Sequence, residues 1–180
     1  MIRLQPPAES TYSAAQREVH DDIESGPRGG VHGPLGIWLW RPEMAKRAQS
    51  LGEYCRYQST LSPRLSELAI LITGRCWAAE FEWQHHKQIA IGAGLDPAIV
   101  ESLRLDKKPD FQNTDEQAVY EFAVELLQTR RVSAPTYQHT LDVLGKETLV
   151  DLVAVLGYYG FISMTINVFE VEADGPDELA

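Results

Sequence analysis

The stretch ELAILITGRCWAAEFEWQHH, residues 67–86, holds the densest group of reactive side chains in the sequence. Two adjacent histidines, His85 and His86, follow two acidic residues, Glu80 and Glu82. A helix through this stretch puts Glu82 and His86 four positions apart and therefore on one face. The stretch is flanked by sequence with apolar residues at helical spacing. The pattern predicts an acid and a base held side by side in a helical protein.

Helix signals continue on both sides of this stretch. Ser62 followed by Pro63 is typical of a helix start. Gly74 leaves two interpretations open: one long helix that runs to Ile91, or a break within residues 74–77. Under both interpretations the acidic residues and histidines lie on a helix.

The rest of the chain also carries helix signals. Two capping boxes, Ser13 with Gln16 and Thr114 with Gln117, mark helix starts. The alternation and tight turns typical of strand hairpins are missing from the sequence. We therefore predict an all-α fold of about six to eight helices. The predicted helices outside the central stretch are residues 14–24, 35–40, 43–57, 97–103, 114–129, 133–144 and 147–169.

The buried face of the helix at residues 43–57 is predicted from its apolar spacing. Met44, Ala48, Leu51 and Cys55 follow one another at intervals of four, three and four residues. These intervals place the four residues on one face of a helix, so we expect their side chains to point inward.

The length and the net charge of the chain limit the class of protein. A chain of 180 residues suits one domain, which we expect to span residues 1–180 with loose arms at 1–12 and 172–180. The net charge of -10 argues against a nucleic-acid partner, since phosphate binding needs a basic surface. The two cysteines, Cys55 and Cys76, form no Cys-x-x-Cys motif and are too few for a disulfide scaffold. A reducing, cytoplasmic location is therefore expected.

One long uncharged segment, residues 152–169, reaches the length of a membrane span. It contains Gly157 and Gly160 and is followed by Glu170 and Glu172, with no basic anchor. A helix that is apolar on nearly all sides is more typical of a protein core or a subunit contact. We therefore expect no membrane partner.

A resemblance to a known family lies in three segments: LSPRLSELAILITGR, AEFEWQHH and IAIGAGLDPAIVESLR. They resemble the carboxymuconolactone decarboxylase family, which includes the alkylhydroperoxidase D (AhpD) proteins. The family pattern has a Glu, then Cys-x-x-Cys, then a His four positions after the second Cys. Glu67 and His86 match it, whereas Ala79 and Glu82 stand at the cysteine positions. The likeness covers about residues 16–171 and implies an AhpD-like helical fold that assembles as a homotrimer or homohexamer.

The resemblance implies decarboxylation of a small carboxylated lactone, in which the lactone carbonyl accepts the electrons and neither cofactor nor metal is needed. Such a site needs a general acid, a cation that holds carboxylates, and walls that exclude water. We expect His86, Glu67 and Glu82 to be catalytic. The proton donor is His86 or His85, and Glu67 either fixes the tautomer of His86 or acts with Glu82 as a proton relay. The predicted substrate-binding residues are Arg28, Arg75, Trp83 and His85.

Several alternatives stay open at this point. A thiol-dependent hydroperoxidase is disfavoured because the paired cysteines are missing. A non-catalytic scaffold would pair Glu67 with Arg75 as a structural ion pair. A divalent metal could use Glu82 and His86, with His85 and Glu80 nearby, although the spacing fixes no third ligand. The glycine-rich loop at residues 25–34 is either a plain connection or a carrier of Arg28 and His32 to a ligand.

Overall fold

The computed structural model describes residues 2–179 of the chain. Within this range the backbone forms nine α-helices and no strand, so the all-α prediction is confirmed with one helix more than expected. The helices are α1 Ala14–Ser25, α2 Pro34–Trp38, α3 Pro42–Glu53, α4 Pro63–Cys76, α5 Glu80–Gly92, α6 Pro97–Arg104, α7 Thr114–Thr129, α8 Ala134–Leu144 and α9 Lys146–Phe169.

Helix α4 lies at the centre of the fold. It begins as predicted, with Pro63 in its first turn and the Ser62 hydroxyl accepting a hydrogen bond from the backbone N–H of Leu65. All of its residues from Leu65 to Gly74 are buried. A helix buried on every side needs neighbours all round, and α4 packs against α5, α7 and α9.

The chain breaks between α4 and α5, which decides between the two interpretations left open by Gly74. Ala78 adopts a left-handed backbone conformation with φ of 47°, and the N–H of Ala79 donates to the carbonyl of Gly74. This short turn folds α5 back against α4. The turn is what allows Glu67 on α4 to meet His86 on α5.

Helix α9 has the length and hydropathy of a membrane span, but 67% of its most apolar window is buried inside the fold. Leu152, Val155 and Tyr159 are among its buried residues. It packs against α4, α8 and the segment after α3. The expected interpretation of this segment as a core helix is confirmed.

The predicted inward face of residues 43–57 is wrong for two of its four members. Met44 and Leu51 are exposed, whereas Cys55, just beyond α3, is buried as predicted and Ala48 is half-buried against the core. Within α3 the buried residues are Ala45 and Gly52. The helix turns its small residues toward the core because large side chains from elsewhere, above all Tyr158 of α9, fill the space beside Gly52. A prediction from hydrophobic spacing alone placed Met44 and Leu51 inward because their side chains are large and apolar.

The two predicted capping boxes have different outcomes. Ser13 and Gln16 form the reciprocal pair, in which each side chain accepts a hydrogen bond from the other residue's backbone N–H. Thr114 is instead the first residue of α7, and the preceding Asn113 makes no capping hydrogen bond with its side chain. The second capping box is therefore wrong, although the helix begins where it was predicted.

The C-terminal arm is docked, which corrects the prediction that it is loose. The Glu80 carboxylate accepts hydrogen bonds from the backbone N–H groups of Glu178, at 2.9 Å, and Leu179, at 3.0 Å. The Glu178 carboxylate accepts from the Trp83 indole at 3.2 Å and pairs with Lys87. The Leu179 side chain is buried. The tail thus covers one face of α5.

The N-terminal arm is also held in place. The backbone N–H of Arg3 donates to the carbonyl of Phe169, and its guanidinium pairs with Glu170. The indole of Trp40 donates to the carbonyl of Gln5. The outermost residues of the two predicted arms, numbers 1 and 180, lie outside the described residues.

Candidate acid–base site

Three buried side chains form a continuous hydrogen-bonded row. The Nδ1 atom of His86 lies 2.6 Å from Oε2 of Glu67, and its Nε2 atom lies 2.9 Å from Oε1 of Glu82. The side chains of Glu67, His86 and Glu82 are exposed by only 7%, 2% and 7%. All three residues that were expected to be catalytic are therefore in direct contact.

The row is built from both sides of the α4–α5 turn. Glu82 and His86 lie one helical turn apart on α5, so their side chains meet on one face. Glu67 reaches the other ring nitrogen from α4, so it pairs with His86 and not with Arg75. Packing of α4 against α5 buries the row between them.

One proton can be shared between the imidazole of His86 and the carboxylate of Glu82. Burial by itself lowers the pKa of His86, but the Glu82 charge, the hydrogen bonds that the imidazolium donates to both carboxylates, and the Glu67 charge together raise it. A protonated imidazole donates from both nitrogens, one to each carboxylate. Moving the Nε2 proton to Glu82 gives a neutral histidine and a neutral carboxyl without changing the net charge. Glu82 and His86 can therefore store and deliver a proton.

A cavity of about 220 Å³ lies beside this row. Glu82 and His86 line it, together with residues from the loop before α2, the segment after α3, and α9. Glu67 is not among the lining residues and contacts the cavity only through His86. The proton-sharing pair thus faces the cavity, and the third acid supports it from behind.

Two positive side chains line the same cavity. The Arg28 guanidinium contacts the Tyr158 hydroxyl at 3.4 Å, and the Arg56 guanidinium lies over the Tyr57 ring at 5.3 Å. Within residues 2–179 neither arginine is paired with a carboxylate. Two guanidinium groups without an acidic partner favour an anionic ligand in this cavity.

Aromatic side chains form much of the cavity wall. The ring of Tyr159 meets the ring of His86 edge to face, with centroids 5.3 Å apart. Burial raises the pKa of Tyr158 to about 12 and that of Tyr159 well above its usual value. Both phenols are therefore neutral at physiological pH. Phe81 and His85 form another part of the wall, with nearly parallel rings.

The glycine-rich loop carries residues to the cavity, which supports the functional interpretation of this loop. Arg28 and His32 both line it. Gly33 has a positive φ of 53°, and a Cβ there would lie 2.3 Å from the Phe81 ring. Glycine at this position lets the loop close over Phe81 without a clash.

Two predicted substrate-binding residues lie elsewhere, and the prediction is corrected for both. Trp83 is fully buried and faces the C-terminal tail, because it is rotated about 100° from Glu82 around α5. Arg75 lines a different cavity, beside Cys76, and donates to the carbonyl of Leu179 at 3.4 Å. Arg28 and His85, the other two predicted residues, do line the cavity.

Arg56 and Tyr57 were missed by sequence reasoning because they lie on an irregular turn. A single π-helical turn, Tyr54–Gln58, follows α3, and the N–H of Ser59 donates five residues back to the carbonyl of Tyr54. Asp151 fixes this turn by accepting a hydrogen bond from the Tyr54 hydroxyl at 2.7 Å. π-Helical turns are frequent at functional sites, but no sequence pattern indicated this one.

Two adjacent tyrosines of α9 belong both to the core and to the cavity wall. Tyr158 and Tyr159 are buried, and both also line the cavity. The adjacent pair of phenols in an otherwise apolar helix was the signal that could have found them.

Neither cysteine lines the cavity. Cys55 is fully buried, and burial raises its pKa to about 11. Cys76 is exposed and lines the separate cavity with Arg75, where partial desolvation raises its pKa. A peroxide-reducing site needs a reactive thiolate, and no cysteine lines this cavity.

The metal alternative is not supported by the positions of its ligands. Glu80 binds the backbone of the tail, and both ring nitrogens of His86 are engaged by carboxylates. His85 lines the cavity next to Phe81, and within residues 2–179 it forms no ligand group with Glu82 and His86. The proposed four ligands therefore do not converge.

Several solved structures share this fold, although no family model and no curated protein matches the sequence. A peroxidase-related protein with an alkylhydroperoxidase AhpD core from Ralstonia eutropha has a TM-score of 0.77 at 14% identity, covering 99% of this chain and 94% of that one. A peroxidase-related protein from Silicibacter gives 0.78 at 11% identity, with 98% and 94% covered.

A third structure is a variant of the debrominase Bmp8 in complex with 2,3,4-tribromopyrrole. It has a TM-score of 0.75 at 15% identity, with 95% of this chain and 91% of that chain covered. At such identities the likeness establishes the architecture alone. The chain therefore has the all-helical fold of the AhpD-like proteins, as the resemblance in its sequence implied.

Proposed function

We propose that the protein is a cofactor-free lyase that decarboxylates a small carboxylated lactone or a related acid by general acid–base catalysis. The observation that carries this proposal is the Glu67–His86–Glu82 row at a cavity that has two unpaired arginines and no cysteine. Such a site can bind an anion and transfer a proton, but it has no thiol with which to reduce a peroxide. A cytoplasmic location belongs to the same proposal.

The geometry suits the two halves of such a reaction. In the first half the bond between the ring carbon and the carboxylate breaks, carbon dioxide leaves, and the electron pair moves onto the lactone carbonyl oxygen. The positive charges of Arg28 and Arg56 bind and orient the anionic substrate. In the second half Glu82 gives its shared proton to carbon, in place of the histidine donor expected from the sequence, because both ring nitrogens of His86 are bound by carboxylates. The carbonyl then re-forms, and a solvent proton restores the row.

The test is a screen of unsaturated lactone acids and aromatic acids for the release of carbon dioxide. The proposal expects turnover of at least one carboxylated lactone by the wild-type protein without an added metal or cofactor. A protein that consumes hydroperoxides through Cys76, and releases no carbon dioxide from any of these acids, would contradict it.

Substitution of Arg56 by Gln is expected to raise KM for the carboxylated substrate about 10- to 100-fold, because a charge-assisted hydrogen bond contributes roughly 1.5–3 kcal/mol. The rate kcat should change less, since the acid–base row is untouched. Steady-state kinetics would show this split between KM and kcat. Arg47→Gln is the matched control, because Arg47 is an exposed arginine paired with Glu43 on α3. An unchanged KM in Arg56→Gln would rule out this role.

The proposal includes assembly of the chain as a homotrimer or homohexamer. An exposed apolar stripe runs along α9, with side chains at helical spacing. Its members are Val150, Val153, Phe161, Met164 and Val168. Soluble proteins seldom leave such a row uncovered, and the family resemblance implies that further copies of the chain cover it.

A Val153→Glu, Met164→Glu double variant is expected to be a monomer, because two charges would be buried without partners at the contact. Light scattering coupled to size-exclusion chromatography measures the mass. Leu105→Glu is the control, since Leu105 is an exposed apolar residue away from α9. A wild-type protein that is monomeric at micromolar concentration would contradict the assembly.

A further inference from the structure

Tyr158 has a hydrogen-bond donor that no protein group uses. Its hydroxyl oxygen accepts from the Arg28 guanidinium at 3.4 Å, so the phenol's own hydrogen is directed elsewhere. No acceptor for this hydrogen lies within residues 2–179. The residue is only 3% exposed and lines the cavity beside Glu82 and His86. Buried polar groups without a partner call for a ligand or a water molecule.

Gly52 makes room for this pair. A Cβ on Gly52 would lie 2.1 Å from the Tyr158 hydroxyl oxygen and 2.5 Å from an Arg28 nitrogen, closer than atoms can approach. Gly52 lies inside α3 and has no positive φ. A glycine there costs helix stability without serving the backbone. The space that it leaves is occupied by the Tyr158–Arg28 contact.

We propose that Tyr158 is a further catalytic residue, which donates a hydrogen bond to the substrate oxygen that becomes negative when carbon dioxide leaves. The inference rests on the lyase function proposed above. Arg28 holds the phenol oxygen from one side, so that the phenol hydrogen is free to bind the enolate oxygen in the cavity. The phenol keeps its proton throughout, and the proton delivered to carbon comes from Glu82. Gly52 acts as a positioning residue, because it permits the contact between Tyr158 and Arg28.

A binding experiment tests this role without knowledge of the substrate. The probe is 4-nitrophenolate, a small anion whose negative oxygen is conjugated like that of an enolate and whose absorbance reports its binding. Tyr158→Phe removes only the hydroxyl and keeps the buried ring. It should weaken 4-nitrophenolate binding about 10- to 100-fold, the loss expected for one hydrogen bond to a charged oxygen. Binding of nitrobenzene, which lacks that oxygen, should not change.

Gly52→Ala should reproduce the loss, since it displaces both Tyr158 and Arg28. Gly92→Ala is its matched control, because a Cβ on Gly92 meets nothing within 4 Å. Equal 4-nitrophenolate affinity in wild type and Tyr158→Phe overturns the proposal, as does a wild type that does not bind this probe. If the wild type decarboxylates no acid but binds 4-nitrophenolate through Tyr158, the lyase function fails while the oxygen-binding role of Tyr158 stands.

Discussion

Replacement of Glu82 by Gln is expected to reduce kcat for carbon dioxide release by about 10²- to 10⁴-fold, the usual contribution of a positioned general acid. Glutamine has the same shape, but its amide carries no proton that it can give to carbon. Its NH₂ group can still donate to Nε2 of His86, so the row keeps its hydrogen bonds and the variant should fold. Stopped-flow or coupled assays of carbon dioxide release would measure the loss.

The control for this variant is Glu43→Gln, which alters an exposed carboxylate on α3. Its kcat should equal that of the wild type. The pH dependence of kcat is a second readout. Its shape should change in Glu82→Gln, because the amide cannot share a proton with His86. Full activity in Glu82→Gln would remove Glu82 from the reaction.

Replacement of His86 by Ala is expected to lower the free energy of unfolding at neutral pH by about 3–5 kcal/mol, the cost of breaking a buried charge pair from one side. The two carboxylates of Glu67 and Glu82 would lie buried without a cation between them, and one of them would have to take up a proton. Urea unfolding followed by circular dichroism measures the difference.

The pH dependence of this difference follows from the direction of the His86 shift. Because the folded-state pKa of His86 is raised above its usual 6.5, the imidazolium contribution is complete below about pH 6.5 and is lost as pH rises through the folded-state value. The difference in free energy of unfolding between wild type and His86→Ala should therefore become smaller at alkaline pH. A difference in free energy of unfolding that does not depend on pH would show that folding leaves the His86 pKa unshifted, and one that widens as pH rises through about 6.5 would show that His86 is held neutral in the folded protein. The control is His85→Ala, which changes a histidine outside the row. It should lower the free energy of unfolding by less than about 1 kcal/mol.

Local patterns in the sequence were enough to predict the helices and one of the two contacts in the row, the one between Glu82 and His86. The interval of four between Glu82 and His86 fixes their contact on α5, whatever the surroundings. The contact with Glu67 depends on the break between α4 and α5, and glycine near residue 74 left that break undecided. The family resemblance pointed to Glu67 and His86 together, and the turn at Ala78 supplies the geometry.

Of the two predicted cations, Arg28 lines the cavity but Arg75 does not, because nearness along the chain is a poor guide to nearness in space. Arg75 lies between Glu67 and His86 in sequence, yet it lines another cavity. Arg56 reaches the cavity from an irregular turn that is fixed by a residue 95 positions later, Asp151. Such long-range hydrogen bonds leave no periodic signal. The same holds for Gly52, whose purpose is visible only beside Tyr158.

The tail was expected to be loose because it is acidic and contains glycine and proline. Composition did not reveal that Glu80 offers a carboxylate to two backbone N–H groups of the tail. The contact also explains the position of Trp83, which the resemblance had placed at the site. Trp83 and Glu80 form the face of α5 that binds the tail, whereas Glu82 and His86 form the face that lines the cavity.

The central claim is that this cavity transfers a proton and needs no thiol. The most direct test is turnover of a carboxylated unsaturated lactone in deuterated water by the wild type, by Glu82→Gln and by a Cys55→Ala, Cys76→Ala double variant. We predict carbon dioxide release and deuterium at the product carbon for the wild type and the cysteine-free variant, with both lost in Glu82→Gln. Activity that disappears with the cysteines but survives in Glu82→Gln would contradict the account.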